Sequence, residues 1–141
     1  MEEDIPLLQL LPVLMQVAGL KDAHKKFGIT KSQLNIFIGL FKNGNMTMSE
    51  ISQYISSSKE QATRTVASLC EQGLVERYEN PSNRTHVHVR FTDKGREYMK
   101  YLSQQVYFDI SEKLHACLSE DEILSLRESL KNTLNILSKV K

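Results

Sequence analysis

The stretch from Ser57 to Ser68 carries Lys59, Gln61, Thr63, Arg64 and Ser68 at spacings that put them on the outer face of a helix. Each can donate to or accept from a base edge, and Arg and Gln can do so with two hydrogen bonds at once. Ser57 and Ser58 add hydroxyls where that helix begins, and the free backbone N–H groups of a helix start favour phosphate. A second group, Asn83, Arg84, Thr85 and His86, follows the turn chemistry of Glu79-Asn80-Pro81-Ser82-Asn83. Between residues 83 and 96, Arg84, Arg90, Lys94 and Arg96 face only Asp93, which leaves a net charge of +3. A hairpin with an arginine at its tip can reach a phosphate backbone or a minor groove. These eleven side chains are the expected contacts to double-stranded DNA. For an isolated helix, a solvated polar face is the plainer account; the elements around it decide otherwise.

Other chemistries find less support. His86 and His88 stand two apart on one strand face and could share a metal, but no carboxylate or cysteine is adjacent in the sequence. No metal site is expected, and the two histidines are read as solvated or phosphate-facing. Cys70 reads as a structural thiol on the inner face of its helix, and Cys117 lies near the end of a later one. Glu120-Asp121-Glu122 reads as the first turn of a helix, where acids complement the dipole. No nucleophile–base pair, glycine-rich phosphate loop or catalytic carboxylate pair is present, so neither an enzyme nor a cofactor is expected.

The 141 residues are one domain's worth of chain, with 40% hydrophobic and 25% charged residues, an ordinary globular composition. The net charge is +1, so basic side chains must act locally rather than in bulk, and a shallow salt dependence of DNA binding follows. Ile5 to Leu20 imitates a secretory leader, but Glu2-Glu3-Asp4 precede it, Gln9, Pro12 and Gln16 interrupt it, and no small-residue cleavage site follows. A cytoplasmic protein is expected.

The periodicity predicts helices over about 5–27, 31–43, 48–55, 58–72, 93–117 and 120–139. Pro12 should kink the first, and Gly28 stands past its end. Thr30 should cap the second, with Leu34, Phe37, Ile38 and Phe41 inward and Gly44 at its stop. Thr47 with Glu50, Ser57 with Glu60, and Ser119 with Glu122 have capping-box spacing. After Gly73 the period changes from 3.6 to 2. Leu74–Tyr78 and Thr85–Phe91 form a hairpin, with Val87, Val89 and Phe91 on its dry face and His86, His88 and Arg90 on its wet one. The short helix, the serine-rich turn and the next helix make a helix-turn-helix, and the hairpin behind it makes a wing. The fold class is therefore mainly α with a small β-hairpin wing: a winged helix-turn-helix flanked by N- and C-terminal helices. Apolar excess on those flanking helices would stay exposed in a monomer, so a two-fold dimer is expected.

Three stretches carry a family resemblance. They are Leu69-Cys70-Glu71-Gln72-Gly73-Leu74-Val75-Glu76-Arg77, the turn Asn80-Pro81-Ser82-Asn83-Arg84-Thr85, and Val87 to Gly95 ending in Phe91-Thr92-Asp93-Lys94-Gly95. Together with Leu118-Ser119-Glu120-Asp121-Glu122 they resemble the MarR family of bacterial transcription regulators. The resemblance implies one domain over 1–141, with a winged-helix DNA-binding module at about 30–97 and dimerisation helices at about 5–27 and 98–141. It also implies a homodimer on a pseudo-palindromic operator, a repressor more readily than an activator, and room for a small lipophilic or phenolic effector near aromatic and methionine side chains such as Phe37, Met46, Tyr101 and Phe108. The family's wing carries Asp-x-Arg where this chain has Asn83 and Thr85, so Arg84 is taken as the wing-tip cation. The competing reading is a winged-helix module used for protein contacts without strong DNA binding.

Overall fold

A computed structural model describes residues 12–14, 16, 17 and 19–140. The expected helix over 5–11 and the apolar positions there lie outside the described residues, as does the segment before Pro12 that a kink would turn. Residues 12–14, 16 and 17 are helical, and Gly19 stands in a turn with φ +65°. The chain then forms α1 (Leu20–Lys26), α2 (Lys31–Asn43), β1 (Asn45–Thr47), α3 (Met48–Tyr54), α4 (Lys59–Glu71), β2 (Val75–Asn80), β3 (Asn83–Phe91), α5 (Asp93–Cys117) and α6 (Glu120–Leu137). The predicted first helix thus breaks at Gly19 before α1.

Local chemistry sets most of these boundaries. Thr30 accepts from Gln33 N while the Gln33 side chain accepts from Thr30 N, closing a capping box on α2. The same reciprocal pair forms between Thr47 and Glu50 for α3 and between Ser119 and Glu122 for α6. Gly44 ends α2 at φ +79°, a left-handed conformation that an L side chain rarely tolerates, and its N–H returns to Leu40 O at 2.8 Å. The expected Ser57–Glu60 box does not form. Ser56 takes φ 51°, which moves the helix start one residue on, and Ser58 caps α4 by accepting from Gln61 N at 3.2 Å.

The described residues fall into two compact units, residues 20–105 and residues 106–140 with those described up to and including Gly19. The helix α1 and the first part of α5 belong to the winged unit. Within that unit Phe37, Ile36, Leu40, Ile51, Val66, Leu69 and Val89 are almost fully buried. At about 25 cal/mol per Å² of apolar area, burial of this set dominates the unit's stability. Ile38 and Phe41, expected inward, are exposed instead, and Ile36 and Leu40 take their places. Apolar residues occur on both faces of α2, so the periodicity fits two stripes and packing selects one.

The sheet has three antiparallel strands in the order β1-β3-β2, not the two of a simple hairpin. Val89 is central, opposite Met46 on one side and Arg77 on the other. Pairing of β2 with β3 is irregular between Glu79 and Asn80, next to the turn. Val87, expected on the dry face, is 47% exposed, whereas Val89 and Phe91 are buried. His88, expected on the wet face, is buried beside β1. The added strand covers the surface that a two-stranded hairpin would have left to water.

In the second unit α6 buries Ile123, while Leu124, Leu130, Leu134, Ile136 and Leu137 are exposed in the single chain. Among the described residues no helix is long and apolar enough to cross a membrane.

Candidate nucleic-acid interface

The outer face of α4 follows from how its inner face is held. Ala62, Thr65, Val66 and Leu69 are buried against the core. That stripe leaves Lys59, Gln61, Thr63 and Arg64 exposed, with Ser58 exposed at the cap. Thr63 Oγ1 donates to Lys59 O at 2.8 Å, so its hydroxyl is engaged along the helix and its methyl points away from that bond. Ser57 is half-buried and donates to Ser58 O at 3.2 Å. It lies beside the cap rather than serving as the cap.

Ser68 departs from the expected outward set. It is half-buried, and its Oγ accepts from Gln33 Nε2 and Gln72 Nε2, both at 3.3 Å. Gln33 is itself buried. Ser68 therefore fastens α4 to α2 and has little freedom left for an outside partner.

The C-terminal end of α4 is held from the start of α5. Lys94 Nζ donates to Gln72 O at 2.8 Å, placing a cation where carbonyls are unpaired and the helix dipole is negative. Thr92 Oγ1 donates to Gly73 O, and Thr92 N donates to Leu74 O at 3.1 Å. Gly95 N donates to Thr92 Oγ1 at 3.0 Å, so one hydroxyl serves two elements. Gly95 packs so closely that a Cβ there would lie 1.8 Å from Leu74 O. The Thr92-Asp93-Lys94-Gly95 run thus locks the end of the polar helix, a role its spacing alone does not disclose.

The wing has a supported base and an open tip. Arg90 Nε donates to Glu76 Oε1 at 2.8 Å, and its guanidinium lies 4.0 Å from the Tyr78 ring centre. These contacts stiffen the β2–β3 ladder where Arg90 and Glu76 are cross-strand partners. At the tip, Asn80 Oδ1 accepts from Ser82 N, and Asn83 Oδ1 accepts from Thr85 Oγ1 at 2.7 Å. Asn83, Arg84, Thr85 and His86 are all exposed. His86 and His88 therefore part company: the first meets solvent and the second is enclosed. Among the described residues no three His, Cys, Asp or Glu side chains are grouped to hold a metal ion. Cys70 is half-buried and Cys117 exposed, and both are free thiols.

A mostly apolar cleft of about 540 Å³ opens elsewhere in the same unit, lined by Leu40, Phe41, Phe91 and Met99 with Arg96 and Lys100 among its polar members. Phe37, Met46, Tyr101 and Phe108 do not line it. Phe37 and Met46 are core residues, and Tyr101 and Phe108 are exposed. Tyr98 does stand near Phe37, with ring centres 5.8 Å apart, and donates its hydroxyl to Phe27 O at 3.1 Å. Burial pushes the Tyr98 phenol above its usual pKa, and the neighbouring Tyr101 adds to the rise.

A family model described as "MarR family" matches residues 29–87. The HTH-type transcriptional regulator BilQ of Clostridioides difficile is 30% identical over 52% of this chain and 49% of its own length. The transcriptional repressor MprA of Escherichia coli is 30% identical over 70% of this chain and 61% of its own length. This chain therefore spans about half to three-fifths of those two relatives. Among solved structures, wild-type MarR from E. coli in its apo form matches with a TM-score of 0.72 and 28% identity, over 94% of this chain and 98% of that one.

Proposed function

Starting from the membership of this chain in the MarR family of winged-helix proteins, we propose that it is a sequence-specific double-stranded DNA-binding transcription regulator. The observation that carries the reading is the outer face of α4, where Lys59, Gln61 and Arg64 stand exposed on a helix fixed at both ends. Such a helix fits a major groove, and these side chains match base-edge donors and acceptors. Ser58, Thr63 and, more weakly, Ser57 and Ser68 complete the helix contribution. Asn83, Arg84, Thr85 and His86 form the wing contribution, with Arg84 as the cation at the tip.

The regulator acts as a homodimer on a pseudo-palindromic operator, and as a repressor. Support for pairing comes from the unit of residues 106–140, where Leu134 is 68% exposed and Tyr107, Phe108, Leu124 and Ile136 are also exposed in one chain. Exposed apolar side chains in that number on two helices suit a subunit interface. Two-fold pairing would present two copies of α4 to half-sites about one helical turn, roughly 10 bp, apart. The apolar cleft suits a small lipophilic or phenolic effector, with Arg96 and Lys100 available to an acidic group.

The test is selection of DNA fragments by the purified protein, followed by sequencing and fluorescence anisotropy at two salt concentrations. A palindrome with one-turn spacing and salt-sensitive binding is expected. Absence of salt-sensitive binding to any duplex at micromolar protein would instead point to a winged-helix module for protein contacts.

A further inference from the structure

Glu60 stands on the candidate interface with its carboxylate uncommitted. It is exposed in the first turn of α4, and that helix is capped by Ser58 rather than by a Ser57–Glu60 pair. The carboxylates of Glu50 and Glu122 each accept from the backbone N–H of a cap residue. The Glu60 side chain has no hydrogen-bond or ion-pair partner among the described residues, and neither has that of Arg64 one turn on. At about 100° per residue, Glu60, Arg64 and Ala67 lie roughly opposite the buried stripe of α4, with Lys59 and Gln61 toward the flanks of the exposed surface. The row that projects farthest from the core is thus an acid, a base and a methyl side chain.

A carboxylate on a surface offered to DNA is repelled by every phosphate. It is favoured there only where a donor meets it. The major groove presents amino donors at two places, cytosine N4 and adenine N6. Adenine sets its N7 acceptor beside N6, which opposes a carboxylate, whereas cytosine sets only a C–H beside N4. The first turns of a recognition helix are also the part that reaches base edges.

We propose that Glu60 is a specificity-determining residue that accepts a hydrogen bond from N4 of a cytosine in each half-site. This rests on the reading of the chain as a DNA-binding regulator. Thymine in that place turns its O4 acceptor toward the carboxylate, so the wrong base loses a hydrogen bond and meets a repulsion. On DNA without the cytosine the carboxylate stays unpaired among phosphates, which lowers affinity for bulk duplex and widens its gap from the operator.

The experiment uses the full chain and the duplex recovered by selection. Each base pair is replaced in turn, in both half-sites together, and wild type and Glu60→Gln are titrated against the set by fluorescence anisotropy. Wild type should reject C·G→T·A at one position by roughly 5- to 150-fold. The amide of Glu60→Gln can donate as well as accept, so that variant should lose most of this discrimination and should bind scrambled duplex more tightly than wild type. An acid at a helix start also favours the helix dipole, but loss of that role lowers stability in urea without altering base preference. The assignment of Glu60 is overturned if wild type has no such position, if a folded Glu60→Gln protein keeps the wild-type base profile, or if that variant binds scrambled duplex no better. Wild type that binds no duplex at all overturns the underlying reading as well.

Discussion

Replacing Gly95 by alanine tests the lock between the start of α5 and the end of α4. The new Cβ would meet Leu74 O at 1.8 Å, Leu74 C at 2.9 Å and Phe91 Cδ1 at 3.0 Å. A carbon–oxygen contact is normally about 3.3 Å or more, so the two backbones must part by roughly 1.5 Å. Neither can yield cheaply, because Leu74 O already accepts from Thr92 N at 3.1 Å and Leu74 N donates to Leu69 O at 3.0 Å. Separation pulls on the Thr92–Leu74, Thr92–Gly73 and Lys94–Gln72 hydrogen bonds together. Losing two of them costs about 2 kcal/mol, and residual overpacking adds about 1–3 kcal/mol. The helical preference of Ala over Gly returns up to about 1 kcal/mol. The net loss is about 2–4 kcal/mol. At roughly 4 °C per kcal/mol for this chain length, Tm should fall by about 8–16 °C. Urea unfolding at fixed protein concentration should show a lower midpoint with an unchanged m-value. Gly39→Ala is the control: its Cβ meets Met46 Sδ at 2.9 Å and Tyr54 Cε1 at 3.2 Å, the ends of movable side chains. Its cost should stay below about 1 kcal/mol after the helix preference is counted. A Gly95→Ala protein no less stable than Gly39→Ala would refute the reasoning.

Other outcomes follow from the same geometry. Arg64→Ala should cost about 1–3 kcal/mol of operator affinity and relax base preference at one position, whereas Arg84→Ala should weaken all duplexes alike and lower the salt slope by about 1; anisotropy on matched and scrambled operators separates the two. Ser58→Ala removes the hydroxyl that accepts from Gln61 N, and should lower stability by about 1 kcal/mol in denaturant titration. Tyr98 keeps its proton longer in the folded chain than in the unfolded one, so its contribution is fully present below the ordinary tyrosine range and fades as pH rises through the raised folded value. Tyr98→Phe should therefore flatten the alkaline limb of a stability-against-pH curve, and should also lose about 1 kcal/mol at neutral pH with the hydrogen bond to Phe27 O.

Much of the fold is readable from the chain because its punctuation is chemical. Thr30, Thr47, Ser119, Gly44 and Gly73 fix helix ends through their own side chains or their own freedom, and the residues on either side need not be known. The same reading loses accuracy where two neighbours could play one part. Ser57 and Ser58 both precede a run with acceptor spacing, and only the left-handed turn at Ser56 decides between them. It also falters where tertiary pairing makes the element. Three residues, Asn45–Thr47, have no period of their own and become a strand only by lying beside His88, Val89 and Arg90. That pairing inverts the fate of His88, whose polarity suggests water. Of the candidate interface, the exposed cations of α4 and the wing tip were legible from spacing. Ser68 was not, since its partner Gln33 is 35 residues away. The supporting parts played by Lys94 and Arg90 depend equally on contacts that no local pattern encodes.

The buried amide of Gln33 has a consequence for how the winged unit comes apart. One end of it accepts from Thr30 N at 2.9 Å and the other donates to Ser68 Oγ at 3.3 Å. The first turn of α2 and the middle of α4 are thus fastened by a single planar group that cannot rotate to favour one without abandoning the other. Fraying at one of these places releases its counterpart, so amide protons in both should exchange with solvent as one cooperative event rather than at separate rates.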